Sequence, residues 1–389
     1  MARNNIFFLG IVLLVSTSVF SGLITSSNDE FDLIRQRVLE LSIWPTPDMM
    51  NVTVATAINA SSTLNSSCYW PDVNYTDQTV KGPWDTEKHI FRVTAMIQAV
   101  TANGSSVKND PKILANAHCA LNVWLMNDWQ NPNWWYNQIG IPFLLTSQLV
   151  MLGDNATSSE IKKITEISFR AAWWIPSPYH IGANLVSMLQ IELYRSLSTR
   201  NVTGLEEAFT RLWQDITYGN TSAAGVQLDW SYHFHAYELL SGTYGLVWAN
   251  NILLFLQCSL NTRYLPNEET LLFFGNFLVK GDAWLIMTNQ WDWQVRGRGI
   301  SEPNQLASHG FTTDWIRTLA QLISSSKDIQ VELINFADRL DNKPHVPQLL
   351  GNKHFFASDF LVHRRANWTA SIKMQSMRTE PTECLLGQN

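Results

Sequence analysis

The sequence predicts a mainly α-helical protein, a bundle or toroid of paired helices, followed by the start of a β-domain. Three observations carry this expectation. Apolar residues recur at three- and four-residue spacing in segment after segment from about Asp29 to Leu340. Short stretches of Gly, Pro, Asn and Ser separate these segments and turn the chain. After Asn342 the apolar period changes to two.

The elements follow in order. Phe31, Ile34, Val38, Leu39 and Ile43 share one helical face, as do Ile90, Val93, Met96, Ile97 and Val100. Ile113, Ala117, Leu121, Val123 and Leu125 make a third. Further helical runs cover 141–152, 159–174, 184–197, 204–216, 245–260, 268–285, 313–324 and 329–340. Helices joined by short loops, with no strands between them, make α/α pairs. No fixed-period repeat is visible, so any repetition is structural. Lys343-Pro344-His345-Val346-Pro347 reads as a linker. Beyond it Phe360 and Val362, then Trp368, Ala370, Ile372 and Met374, alternate with polar residues as strands do. Two strands form no stable sheet alone, so a truncated β-domain is expected.

The first residues carry Arg3, an apolar run from Ile6 to Val15 and Val19-Phe20-Ser21, which together read as a secretory signal peptide over 1–21. No later stretch is apolar enough for a membrane helix. Asn51, Asn59, Asn65, Asn74, Asn103, Asn155, Asn201, Asn220 and Asn367 each open an Asn-x-Ser/Thr triplet, which predicts a secreted, extracellular glycoprotein. Cys68, Cys119, Cys258 and Cys384 allow one or two disulfides in an oxidising compartment, in connectivities the spacing does not choose between. Cys258 lies in an apolar run and reads as a buried thiol. A net charge of −6 argues against a general nucleic-acid binder. It leaves room for an anionic sugar chain held in a locally basic cleft. Tryptophan, at 17 residues, stacks on sugars and also fills cores.

The densest chemistry lies between Asp229 and Gly245, where His233 and His235 precede Tyr244 and Gly242 and Gly245 flank it. Imidazole and phenol are well suited to proton transfer. A metal reading of the two histidines lacks a third ligand at suitable spacing, so no metal is expected. Asn184 follows Gly182-Ala183 at a helix start and is either an N-cap or an amide donor to a substrate carboxylate. Trp134 and Trp135 are either a sugar-stacking wall or core. Arg296 and Arg298, among glycines and ahead of Glu302, suggest an anion-binding loop or a solvated turn. His363-Arg364-Arg365 carries the same two readings.

NWWYNQIGIP, GANLV, the Asp229 to Gly245 stretch, RGRGISE and KHFFASDFLVHRR, in that order, resemble polysaccharide lyase family 8, which includes chondroitin AC, hyaluronate and xanthan lyases. The resemblance covers nearly all of the mature chain. It implies an incomplete α/α toroid over 22–342 and the first strands of a truncated β-sandwich over 343–389. It implies β-elimination on an acidic, uronate-containing polysaccharide, by a monomer, with no cofactor. Carried over, Asn184, His235, Tyr244 and Arg298 are catalytic, and Trp134, Trp135, Arg296 and Glu302 line the substrate. Glu302 stands where the family has a second arginine, and His233 has no counterpart in it. The family also draws a supporting glutamate and part of its cleft from the β-sandwich.

The chemistry asks for these side chains. An amide and a guanidinium stabilise the charge that develops when the C5 proton of a uronate leaves. Tyr244 then serves as both base and acid, or His235 as base and Tyr244 as acid. Two other readings stand beside this one: a catalytically weak polysaccharide-binding protein of the same fold, and an α/α-toroid glycoside hydrolase using carboxylates among Asp229, Glu238, Asp292 and Glu302.

Overall fold

The computed structural model describes residues 27–76, 82, 84–219, 224–301 and 308–380. The expected signal segment over 1–21, Glu302 and Cys384 lie outside them. The expected helices form as an α/α toroid. They are α1 (Ser27–Val38), α2 (Pro47–Thr63), α3 (Glu87–Thr101), α4 (Pro111–Asn127), α5 (Ile141–Leu152), α6 (Ser158–Ser168), α7 (Gly182–Thr199), α8 (Val202–Asp215), α9 (Leu246–Ser259), α10 (Glu268–Phe277), α11 (Ala283–Leu285), α12 (Thr313–Leu322) and α13 (Lys327–Leu340). Sequence neighbours pack on one another: α2 on α3, α3 on α4, α7 on α8 and α12 on α13. Side chains close several of the starts. Asp110 accepts from the amides of Lys112 and Ile113, and Thr157 with Glu160 makes a reciprocal capping box on α6.

Two helical expectations are corrected. Helix α2 is an addition to the expected runs; it shows no strong apolar period, because its buried face is built from Val54, Ala57, Ala60 and Ser61. The run expected over 159–174 stops at Ser168. Beyond it the Trp173 indole donates to Glu192 at 3.2 Å, and Pro176 and Pro178 hold the chain in a loop.

Much of the tryptophan count is explained by packing. Trp70, Trp124 and Trp248 are fully buried, alongside Tyr194, Phe255 and Phe277. Cys68 and Cys119 form a disulfide that ties the segment after α2 to α4. Cys258 is a buried thiol. Among the described residues no helix is long and apolar enough to cross a membrane.

Among the described residues, three small antiparallel sheets accompany the helices. The first orders β1 (Gly225–Val226), β2 (Tyr232–Phe234) and β3 (Glu238–Leu239). The second pairs β4 (Ile286–Met287) with β5 (Gln290–Trp291). The third orders β6 (Gly351–Phe355), β7 (Phe360–Arg365) and β8 (Trp368–Lys373). Its first strand is an addition to the two expected, and Phe360 and Val362 point into the core as the alternation requires.

Candidate active site

The site grows from the turn between β2 and β3. His233 pairs across with Gly225 and Leu239, and Phe234 with Glu238, so β2 is held on both edges. The chain then reverses at His235 (φ 46°) and Ala236 (φ 69°). Left-handed backbone at two consecutive non-glycine residues is uncommon and persists where the surroundings impose it. The reversal pushes the His235 imidazole out to solvent.

Tyr244 follows in the irregular turn Ser241–Gly245 that opens α9. The two glycines beside it have packing roles. A Cβ at Gly245 would lie 3.1 Å from Tyr232, and one at Gly242 would lie 3.0 Å from Arg296 and 3.2 Å from Trp291. Their absence of side chain lets the Tyr244 backbone settle onto β2 and β5. The Tyr244 ring stacks on Phe234 with centroids 4.4 Å apart, and His235 stands 4.7 Å away, tilted by 53°. Arg298 donates from Nη2 to the Tyr244 hydroxyl at 2.6 Å. Three of the four expected catalytic side chains therefore meet around one phenol.

Asn184 approaches from α7. Gly182 (φ +51°) has Tyr232 and Phe234 against its Cα, so the start of α7 abuts the strand that leads to His235. Asn184 lies inside the helix, beyond the N-cap residue Ile181. Its amide donates to the Tyr179 carbonyl at 3.0 Å, and the residue is 9% exposed. The N-cap reading of Asn184 is thereby replaced by a side chain fixed on the loop before α7. Trp134 meets the Tyr179 ring at 5.2 Å. Trp135 turns the other way, under Gly140, where a Cβ would come within 2.8 Å of the indole.

The two arginines of the glycine-rich loop separate. Arg298 is exposed beside Tyr244, whereas Arg296 is 2% exposed, with its Nε lacking an acceptor. Burial lowers the pKa of the Arg296 guanidinium. Arg296 packs behind Gly242, so it supports the Tyr244 turn from below. Arg298→Gln is expected to lower kcat/KM by about 10²-fold at unchanged melting temperature. Arg296→Gln is expected to act mainly on thermal stability. Steady-state kinetics and melting curves on both variants separate the two roles.

His233 leaves the site altogether. It is 2% exposed, and its Nε2 meets the Ser358 hydroxyl at 2.7 Å. Ser358 donates to Ser231, Ser231 to Asp229 at 2.6 Å, and the Ala357 amide to Asp229 at 2.5 Å. This chain of bonds sews β2 to the turn between β6 and β7. Ser231, Phe234, Tyr179 and Ser358 were not among the expected site residues. Phe234 could have been found as the residue between two histidines on a strand.

Burial holds the His233 pKa down to about 4 from 6.5. An unfolded chain takes up that proton earlier, so His233 removes stability as pH falls from 6.5 towards 4, by up to about 1.4 kcal/mol per pH unit. Glu87, half-buried and raised by desolvation from 4.5 to about 7, works in the opposite sense over the same window. The effect is therefore read as a difference. His233→Gln is expected to show a shallower loss of melting temperature from about pH 7 to pH 5 than the parent protein, at matched ionic strength.

Of the four carboxylates considered for a hydrolase, Glu302 lies outside the described residues. Asp229 is engaged with Ser231 and Ala357, Asp292 caps a short turn through the Gln294 amide, and Glu238 is 2% exposed. Among the described residues no group of three or more His, Cys, Asp or Glu could hold a metal ion.

The family model described as polysaccharide lyase family 8, N terminal alpha-helical domain, matches residues 47–334. The chain belongs to polysaccharide lyase family 8. The super-sandwich domain of family 8 matches residues 350–389. Family 8 relatives include Chondroitinase-AC of Pedobacter heparinus, 24% identical over 363 residues, which cover 93% of this chain and 50% of that protein. Xanthan lyase of Bacillus sp. (strain GL1) is 21% identical over 94% of this chain and 44% of its own length. A chondroitinase AC lyase solved with oligosaccharides superposes with a TM-score of 0.76 at 24% identity, over 91% of this chain and 51% of the other. The Streptomyces coelicolor A3 chondroitin AC lyase, solved with chondroitin sulphate, gives 0.74 at 20% identity, over 92% and 55%. These superpositions establish the shared fold. The chain spans about half the length of the curated family 8 relatives it matches.

Proposed function

We propose that this chain is a secreted polysaccharide lyase that cleaves uronate-containing, glycosaminoglycan-like chains by β-elimination. The reading rests on one observation above the others: the Tyr244 hydroxyl is held by Arg298 at 2.6 Å with the His235 ring beside it. A guanidinium next to a phenol oxygen carries the charge of that oxygen while it is deprotonated. Tyr244 takes the C5 proton of the uronate and returns a proton to the leaving glycosidic oxygen on C4. Asn184 and His235 stabilise the enolate-like charge at the uronate carboxyl group. Atoms balance without water: one C–O bond breaks and a C4–C5 double bond forms.

Trp134 and Tyr179 supply stacking surface for the flanking sugars. Secretion is supported by the eight described triplet asparagines, Asn51, Asn59, Asn65, Asn74, Asn103, Asn155, Asn201 and Asn367, all of which are exposed, and by the disulfide. The substrate class is the one named for the family 8 relatives, chondroitin, hyaluronate and xanthan.

The test is to incubate the protein with hyaluronan, chondroitin sulfate, xanthan and alginate and follow the ultraviolet absorbance of an unsaturated uronate. A rise with one of them supports the proposal. Saturable binding with no product on any of them replaces it with a polysaccharide-binding role.

A further inference from the structure

A cavity of about 370 Å³ lies between α13, the linker at 341–350 and the β7–β8 hairpin. None of Asn184, His235, Tyr244 or Arg298 lines it, and its lining carries four cations: Arg339, Lys343, Arg364 and Arg365. Its volume is in the range of small-ligand sites, roughly 300–1,000 Å³.

Arg364 is buried and Arg339 half-buried, and each keeps a nitrogen without a hydrogen-bond acceptor. Arg364 is 8% exposed and gives Nη2 to the carbonyls of Trp284 and Ile286 at 2.7 and 2.6 Å, while its Nε has no acceptor. Arg339 gives Nη1 to the Pro347 carbonyl at 3.1 Å, and its buried Nη2 has no hydrogen-bond acceptor. The hydrogen-bond partners of both are neutral carbonyls. Nearby carboxylates offset this charge only in part. Glu332 makes a long ion pair with the Arg339 Nη2 at 3.9 Å, beyond hydrogen-bond reach. Asp338 is engaged by Arg317 and Lys343. Asp292 acts on Arg364 only through its field and serves as a helix cap. Arg339 and Arg364 also repel one another: burial and then the field of Arg339 bring the Arg364 guanidinium down to about 10. Burying one guanidinium against a second like charge, with donors unsatisfied, is unfavourable unless an anion joins them. Thr288 and Thr369 add hydroxyl groups to the same lining.

We propose that this cavity is a second anion site, taking a sulfate-type oxyanion, either free or as an ester on an acidic sugar. Arg339 and Arg364 form its floor, and Lys343 and Arg365 its rim. The fork geometry of guanidinium suits the paired oxygens of such a group.

Calorimetric titration of the full chain tests this with three probes: inorganic sulfate, a sulfated uronate disaccharide and its unsulfated counterpart. Saturable sulfate binding is expected, weakened at least tenfold in Arg339→Gln and in the rim pair Lys343→Gln/Arg365→Gln (a loss of about 1.4 kcal/mol or more). Arg298→Gln, in the catalytic cleft, is expected to leave sulfate affinity unchanged. If Arg339→Gln does not fold, the exposed rim pair decides alone. Tighter binding of the sulfated disaccharide than of sulfate assigns the source to a glycan, and equal binding assigns it to the free ion; both keep the site. Absence of saturable sulfate binding, binding indifferent to the rim pair, or binding abolished by Arg298→Gln overturns it.

Discussion

Tyr244→Phe is expected to reduce kcat by about 10²–10⁴-fold, the range contributed by a positioned acid–base group, while KM and melting temperature stay close to those of the parent protein. The geometry makes this substitution unusually clean. Phenylalanine keeps the ring that stacks on Phe234 at 4.4 Å and lies beside His235 at 4.7 Å. The backbone of the turn is fixed by the close approach of Gly242 and Gly245 to their neighbours, which the substitution does not touch. What disappears is the oxygen that Arg298 holds. If the phenol is both base and acid, both proton transfers go together, and His235→Ala on the Tyr244→Phe background has little left to remove. If His235 is the base instead, each single variant retains the other half of the chemistry. Kinetics on the two singles and the double distinguish these cases.

Loss of the Cys68–Cys119 disulfide is expected to lower stability by about 2–4 kcal/mol. The bond spans 51 residues of sequence, and in the chain-entropy picture closing a loop of that length gives about 4 kcal/mol. Its position strengthens the expectation. Cys68 is buried, next to Trp70, whose indole donates to the Ala60 carbonyl at 2.9 Å and whose ring meets His89 edge-on at 4.8 Å. The bond therefore anchors the chain just after α2 to a neighbouring helix. Melting curves with and without reductant, and on Cys68→Ser/Cys119→Ser, read the effect. An unchanged melting temperature in all three would remove the disulfide from the stability of this fold.

Much of the fold was legible because the toroid needs continuous apolar stripes. α5 and α9 are almost wholly buried and show up as long apolar runs. α2 was not legible: its inward face uses alanine and serine, because α3 and α4 crowd it. The strand β6 escaped for a similar reason, since Phe355 is its one large buried residue. In the site, the family resemblance pointed to His235, Tyr244 and Arg298, which the fold does bring together. Spacing could not separate His233 from His235, two residues apart in sequence. That separation depends on the reversal at His235 and on Ser358, 125 residues downstream of His233. Nor could it show that Arg296 faces inward while Arg298 faces out, because a short helical turn at 297–301 decides it.

Under the proposed function the glycosidic bond breaks by elimination, without water entering the product. Cleavage of a uronate polymer in water enriched in heavy oxygen, followed by mass spectrometry of the oligosaccharides, tests it most directly. Elimination leaves a new non-reducing end that is one water lighter than the hydrolytic product, with no heavy oxygen incorporated at the cleaved bond. Saturated products carrying the heavy oxygen would mean hydrolysis and would contradict the proposed roles of Tyr244, His235, Asn184 and Arg298.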